Sequence, residues 1–303
     1  MKVIIFGASG YVGLPVANAL VRNGHVVVGV TRTASKNKLL LANEIIPAVG
    51  DIFDPATWSA HLVDADAVIS LASGNPEDRR TIFKAIESTA ATVRLPGTPK
   101  LVFIATSGTW VYGDDRSAIR TESSPLEISK MPLVARWRPA IDKEMVESTI
   151  LDCIIVRCCM CYGRAGSLWA MLFSQAEKGE ISWMGTPGGS YATIHVDDLA
   201  ELFLLVVEKS HLVRGLVVNA ANDRTESVDG ILKAFAAHIG IPLDKISYRA
   251  PNPKNPVEEA LTITTKLRPT LARTLLGWAP RKASMMDGIA TYYASYKAVA
   301  SSN

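Results

Sequence analysis

The segment Gly7-Ala8-Ser9-Gly10-Tyr11-Val12-Gly13 constrains this chain more than any other. It follows a short apolar run at residues 3–6 and leads into an amphipathic stretch at 14–22, closed by Asn23-Gly24. Glycine permits a tight turn and a close backbone approach to a ligand, and a glycine just past a periodic segment is a helix stop. A strand, a glycine turn and a helix in that order bring free N–H groups and the positive end of a helix dipole to one point. That point suits a pyrophosphate. The turn is therefore read as dinucleotide-binding, with Gly7, Ser9, Gly10, Tyr11, Val12 and Gly13 as contacts. Its glycines are spaced three-and-three rather than two-and-three as in the commoner fingerprint, and a purely structural turn is the alternative.

The remainder of the first half repeats the same rhythm. Residues 3–6, 26–30, 67–71, 101–105 and 153–156 are short, nearly all-apolar runs separated by helix-like stretches. Strands buried on both faces read this way, whereas a half-exposed sheet alternates apolar with polar. The expected fold is α/β: a Rossmann-type doubly wound parallel sheet with a smaller C-terminal substrate lobe. From Tyr162 onward Gly163, Gly166, Gly185, Pro187, Gly188 and Gly189 mark loops over a cleft. A helix and strand near 196–209 and 215–219 are expected to rejoin the sheet. Residues 1–161 and 195–222 are assigned to the dinucleotide-binding domain, and 162–194 and 223–303 to the substrate lobe. Residues 285–297 carry apolar and aromatic side chains at helical spacing, expected to close that lobe.

The second run ends Val30-Thr31-Arg32-Thr33-Ala34-Ser35-Lys36, and no acidic residue occurs between Val26 and Asn43. An enzyme preferring NAD(H) places Asp or Glu here to meet the ribose hydroxyls. Arg32, Ser35 and Lys36 suit a 2′-phosphate instead, so NADP(H) is expected ahead of NAD(H), the alternative being a solvated basic loop.

Charge argues against some partners. With 32 Lys and Arg against 29 Asp and Glu, the net charge of +3 gives no footprint for nucleic acid and none for a membrane surface. The opening residues lack a signal-peptide core, no stretch of 18 uncharged apolar residues occurs, and the expected location is cytoplasmic. Cys153, Cys158, Cys159 and Cys161 fall too close together for a disulfide framework and have no nearby histidine to complete a metal site. They are expected to be buried free thiols in a core strand, and no metal is expected.

With these segments in hand, the chain resembles the extended short-chain dehydrogenase/reductase superfamily, in its atypical epimerase/dehydratase-like branch, over nearly its whole length. Gly50-Asp51 resembles the adenine-side segment, which makes Asp51 and Ile52 cofactor contacts. Ile69-Ser70-Leu71-Ala72-Ser73 resembles the fourth-strand motif under the cofactor, adding Leu71, Ala72 and Ser73. Thr106-Ser107-Gly108-Thr109-Trp110-Val111-Tyr112-Gly113 is similar to the segment bearing the catalytic hydroxyl. Thr121-Glu122-Ser123-Ser124-Pro125, Tyr162-Gly163, His195-Val196-Asp197-Asp198 and Leu276-Gly277-Trp278-Ala279-Pro280 continue the pattern in order. The resemblance also implies a homodimer as one expected partner.

The departures fall on the chemistry. The family pairs a proton-transferring Tyr with a Lys four residues later. Aligning Lys143 with that Lys puts Pro139 at the Tyr position, and Gly108 stands at the Ser/Thr position. Lys143 is then read as a cofactor-ribose contact, as an acid–base group in its own right if desolvated, or as a surface ion pair. Ser107, Thr109 and Tyr112 are the other catalytic candidates, each with a plain packing or satisfied-hydroxyl alternative. Arg136, Trp137 and Arg138 are expected beside the cleft as an anion clamp with an apolar wall, and Trp110 as a further wall for a small-molecule substrate. Three functions follow: an NADP(H)-dependent oxidoreductase of a small carbonyl or alcohol, a redox-neutral epimerase, dehydratase or isomerase, and a non-catalytic NADP-binding regulator.

Overall fold

The structure, a computed structural model, describes residues 1–72, 74–164 and 167–300, so Gly166 and Ser73 lie outside the described residues. The first half runs β1 (Lys2–Phe6), α1 (Gly13–Arg22), β2 (Val26–Thr31), α2 (Asn37–Leu41), β3 (Ile46–Val49), β4 (Ala67–Ser70), α3 (Pro76–Val93), β5 (Val102–Gly108), α4 (Arg138–Val146) and β6 (Asp152–Cys158). After β7 (Met160–Tyr162), α5 (Ala170–Phe173), β8 (Ile181–Met184) and β9 (Ser190–His195) come α6 (Val196–Glu208) and β10 (Val217–Ala220). The seven-stranded sheet has the order β10-β6-β5-β4-β1-β2-β3, and every pairing in it is parallel.

Alternation along the strands explains the layering. In β1, Val3 and Ile5 face one core with Val16 and Leu20 of α1 and Leu202 and Phe203 of α6. Ile4 and Phe6 face the other, with Ile82, Phe83 and Ile86 of α3 and Ile141 and Met145 of α4. Both faces are covered, which is why these runs carry no polar alternation. β3 is the exception: it is the sheet edge, it contains Pro47, and Ile46 and Val49 are exposed. α3 starts with a capping box, in which Asn75 and Asp78 satisfy each other's backbone N–H, with Pro76 at the first helical position.

β11 (Thr225–Ser227) joins β9 and β7, and β12 (Ile246–Arg249) pairs with β8. Over them pack the helices Val228–Ile239 and Ile289–Ala300, around Trp169, Trp183 and Phe235. Ile289 and Tyr292 seat the last helix on this lobe. Among the described residues no helix is long and apolar enough to cross a membrane.

The strand order reverses between β1 and β4. A crevice outside the carboxyl ends of the strands at such a switch point is where doubly wound sheets bind ligands.

Candidate active site

Two cavities open at those carboxyl ends. The first, about 610 Å³, is lined by Gly7, Ser9, Gly10, Arg32, Lys36, Asp51, Ile52, Leu71 and Ala72, all of them expected cofactor contacts. Gly7 has φ of 86°, a conformation L side chains rarely adopt, and its carbonyl accepts from Gly10 N at 3.0 Å. A Cβ at Gly13 would stand 2.0 Å from the same carbonyl oxygen, so Gly13 serves by letting α1 close onto the turn. Arg32 and Lys36 are exposed and make no side-chain hydrogen bond or ion pair among the described residues. Ser35 does not line the cavity, and its Oγ lies 2.8 Å from Thr33 Oγ1. Asp51 Oδ1 accepts from Phe53 N at 3.0 Å. A bare glycine cradle, a helix N-terminus and unpaired cations beside it are the donor set a dinucleotide phosphate requires.

The second cavity, about 330 Å³, lies beyond the ends of β5 and β6 and takes Tyr11, Val12, Thr109, Trp110 and Arg138 among its walls. Tyr11 donates to Gly163 O at 3.0 Å, and burial pushes its hydroxyl pKa up. Thr109 is buried, and its hydroxyl has no hydrogen-bond partner among the described residues. The Arg138 guanidinium lies 4.5 Å over the Trp137 ring, and desolvation lowers its pKa. The cysteines depart from the expected core strand. Cys153 and Cys159 are buried, but Cys158 and Cys161 are half-buried and line this cavity together with Cys159, because β6 ends there. Burial raises all four thiols, Cys153 and Cys161 to about 12.

Several expected site residues stand elsewhere. Lys143 is exposed, lines neither cavity, and pairs with Glu147 at 3.7 Å. Residues four apart share a helix face, and the face of α4 turned toward β5 carries Arg138 and Asp142, not Pro139 and Lys143. Ser107 is buried and donates to Asp142 Oδ2 at 2.9 Å. Tyr112 is buried, donates to Asn219 Oδ1 at 2.9 Å and accepts from Arg157 Nη1 at 3.3 Å. Arg136 is exposed, its Nε donating to Met131 O at 3.0 Å. Trp137 sits between Arg79 and Arg138 against the α3-side core, so Trp110 is the indole that walls the cavity. Of the expected three-residue clamp, Arg138 alone reaches the cleft.

Asp142, Arg157 and Arg79 belong to none of the sequence motifs, yet they cluster beneath the cavity. Arg157 Nε and Nη2 each lie 3.3 Å from Asp142 Oδ2, while Arg79 donates to Thr106 O. Burial raises the Asp142 pKa against the pull of Arg157, and lowers that of Arg79 to about 10. The available signal was a charge in an apolar strand, Ile154-Ile155-Val156-Arg157, which demands a buried partner.

Over residues 3–221 the chain matches the family described as the NAD dependent epimerase/dehydratase family. It is 25% identical over 307 residues to Uncharacterized protein C2A9.02 of Schizosaccharomyces pombe, covering 96% of this chain and 99% of that protein. Its fold is similar to that of the UDP-glucuronic acid 4-epimerase of Bacillus cereus in complex with UDP-glucuronic acid and NAD, with a TM-score of 0.78 at 20% identity. That likeness covers 99% of this chain and 100% of the other. The dTDP-glucose 4,6-dehydratase of Bacillus anthracis in complex with NAD superposes with a TM-score of 0.79 at 15% identity, over 98% of this chain and 97% of the other.

Proposed function

The chain belongs to the NAD-dependent epimerase/dehydratase family, and from that premise we propose that it is a nicotinamide-dependent oxidoreductase acting on a small carbonyl or alcohol, with NADP(H) ahead of NAD(H). The observation that carries the reading is the shared glycine turn: Ser9 and Gly10 line the larger cavity, and Tyr11 and Val12 line the smaller one. A phosphate cradle thus runs directly into a compartment with its own polar groups.

A nicotinamide dinucleotide, when bound, supplies hydride transfer. The chain's residues do the rest. Gly7, Ser9 and Gly10 admit the pyrophosphate, and Asp51 faces the adenine end. Arg32 and Lys36 attract a 2′-phosphate; the structures similar in fold hold NAD, so these two cations are the reason for placing NADP(H) first. The Thr109 hydroxyl hydrogen-bonds the substrate oxygen and passes it a proton, replaced from water at the cavity mouth. Residues 1–161 and 195–222 form the cofactor domain in this reading, and 162–194 and 223–303 the lobe over the substrate.

A redox-neutral epimerase or dehydratase is the second reading, favoured by the family's own description. The deciding experiment titrates the protein with NADPH and NADH, repeats both with Arg32→Ala, and then adds small carbonyl compounds. Tight NADPH binding, selectively weakened in the variant, with nucleotide oxidation on adding a carbonyl compound, is expected. Substrate conversion without net nucleotide oxidation would favour the second reading. Binding without turnover would leave a regulator, and binding of neither nucleotide would overturn the proposal.

A further inference from the structure

Around the ends of β5 and β6, the guanidinium groups of Arg157, Arg79 and Arg138 gather near one carboxylate, Asp142, and only Arg157 pairs with it. Asp142 is committed: its Oδ2 accepts from Ser107 Oγ at 2.9 Å and from Arg157 Nε and Nη2 at 3.3 Å each. Arg79 is buried beneath Trp137 and turns to the Thr106 carbonyl. Arg138 remains. Its side chain makes no hydrogen bond or ion pair among the described residues, and it lies along the wall of the 330 Å³ cavity.

The Arg138 guanidinium is stacked on the Trp137 ring and half-buried, and it has no hydrogen-bond acceptor among the described residues, so its N–H groups are free for a ligand. The cavity has room for an acceptor. A Cβ built at Gly108 would lie 4.0 Å from Arg138 Nε, so the end of β5 runs beside the guanidinium, and both residues line the cavity. The same lining includes the apolar side chains of Val12, Trp110, Met160 and Leu168. At about 330 Å³ the space is at the small end for ligand pockets.

We propose that Arg138 docks a carboxylate of the substrate, and that the substrate is a small oxo or hydroxy acid with an apolar tail. A planar guanidinium matches a carboxylate through two parallel N–H···O bonds, a geometry lysine does not reproduce. The inference rests on the reading above in taking this cavity as the substrate's place.

The test is calorimetric binding of 4-methyl-2-oxopentanoate and of its methyl ester to the full chain, with and without NADPH. The two probes share carbonyl and tail and differ in charge. The acid is expected to bind the unaltered protein about 10- to 100-fold more tightly than the ester. Arg138→Gln should abolish that preference and Arg138→Lys should keep part of it. Equal binding of acid and ester to the unaltered protein would overturn the proposal with no variant required. An acid preference surviving Arg138→Gln would also overturn it. So would a fall in NADPH affinity of that variant with acid binding unchanged, since Arg138 would then serve the cofactor. Failure of both nucleotides to bind sinks the oxidoreductase reading separately, and the acid–ester comparison on the nucleotide-free chain still decides this one.

Discussion

Ser107 Oγ donates to Asp142 Oδ2 at 2.9 Å, which ties the end of β5 to the inner face of α4. The same carboxylate oxygen takes Arg157, whose guanidinium reaches on to Tyr112 and through it to Asn219. Two hydroxyls that the sequence offers to chemistry are therefore parts of a buried brace. The brace links β5, β6 and β10 beneath the cavity, while Thr109, two residues beyond Ser107, lines it.

Substitutions in this brace should separate by what they leave behind. Ser107→Ala removes one hydrogen bond to a charged group and is expected to cost about 1.5–3 kcal/mol. Asp142→Asn leaves the Arg157 charge buried and uncompensated, for about 3–5 kcal/mol. Urea denaturation of both variants checks the order. Equal losses would mean that Arg157 finds another acceptor.

The glycine turn makes a sterically sharp prediction. In Gly13→Ala the new methyl would stand 2.0 Å from Gly7 O, an approach that only a backbone shift relieves. That shift widens the phosphate cradle, so NADPH affinity should fall at least about tenfold, with a loss of about 1–3 kcal/mol in stability. Gly24→Ala is the control: it has φ of 78° but nothing within 4 Å of its Cβ. It should lose about 1 kcal/mol and no affinity. Unchanged NADPH titration in Gly13→Ala would argue against the cradle.

Legibility followed locality. β1, the turn and α1 are contiguous, so spacing and glycine chemistry sufficed, and the buried strands announced themselves as apolar runs. The inner face of α4 was another matter. Each residue turns a helix by about 100°, so an alignment anchored on Lys143 misplaces the whole face by one position, and only packing shows that Arg138 and Asp142 look inward. Likewise the clustered cysteines read as core because nothing local says that β6 stops at Cys158 beside a cavity.

Lys143 provides the direct test of that rotation. Its ammonium is exposed and 3.7 Å from Glu147 one helical turn on, a pairing of the kind that contributes little. Lys143→Ala should change stability by no more than about 0.5 kcal/mol and leave NADPH affinity within about twofold. A tenfold loss of affinity would place Lys143 on the cofactor after all.

His195 gives the pH dependence. Its Nδ1 accepts from Asp197 N at 3.0 Å, capping α6, and its ring packs against Tyr162 and Tyr292. Burial lowers its pKa below the ordinary 6.5, assisted by Lys282 and Arg164 and opposed by Asp197 and Asp198. The unfolded chain therefore takes up a proton first as pH falls, so the imidazole's contribution is intact above 6.5 and is lost progressively below it, down through the folded-state value. Thermal midpoints measured from pH 8 to pH 5 should decline more steeply for the unaltered protein than for His195→Asn, which keeps an N-cap acceptor but does not titrate. Parallel curves would mean that the proton enters without disturbing the cap, and that some other group sets the acid limit of the fold.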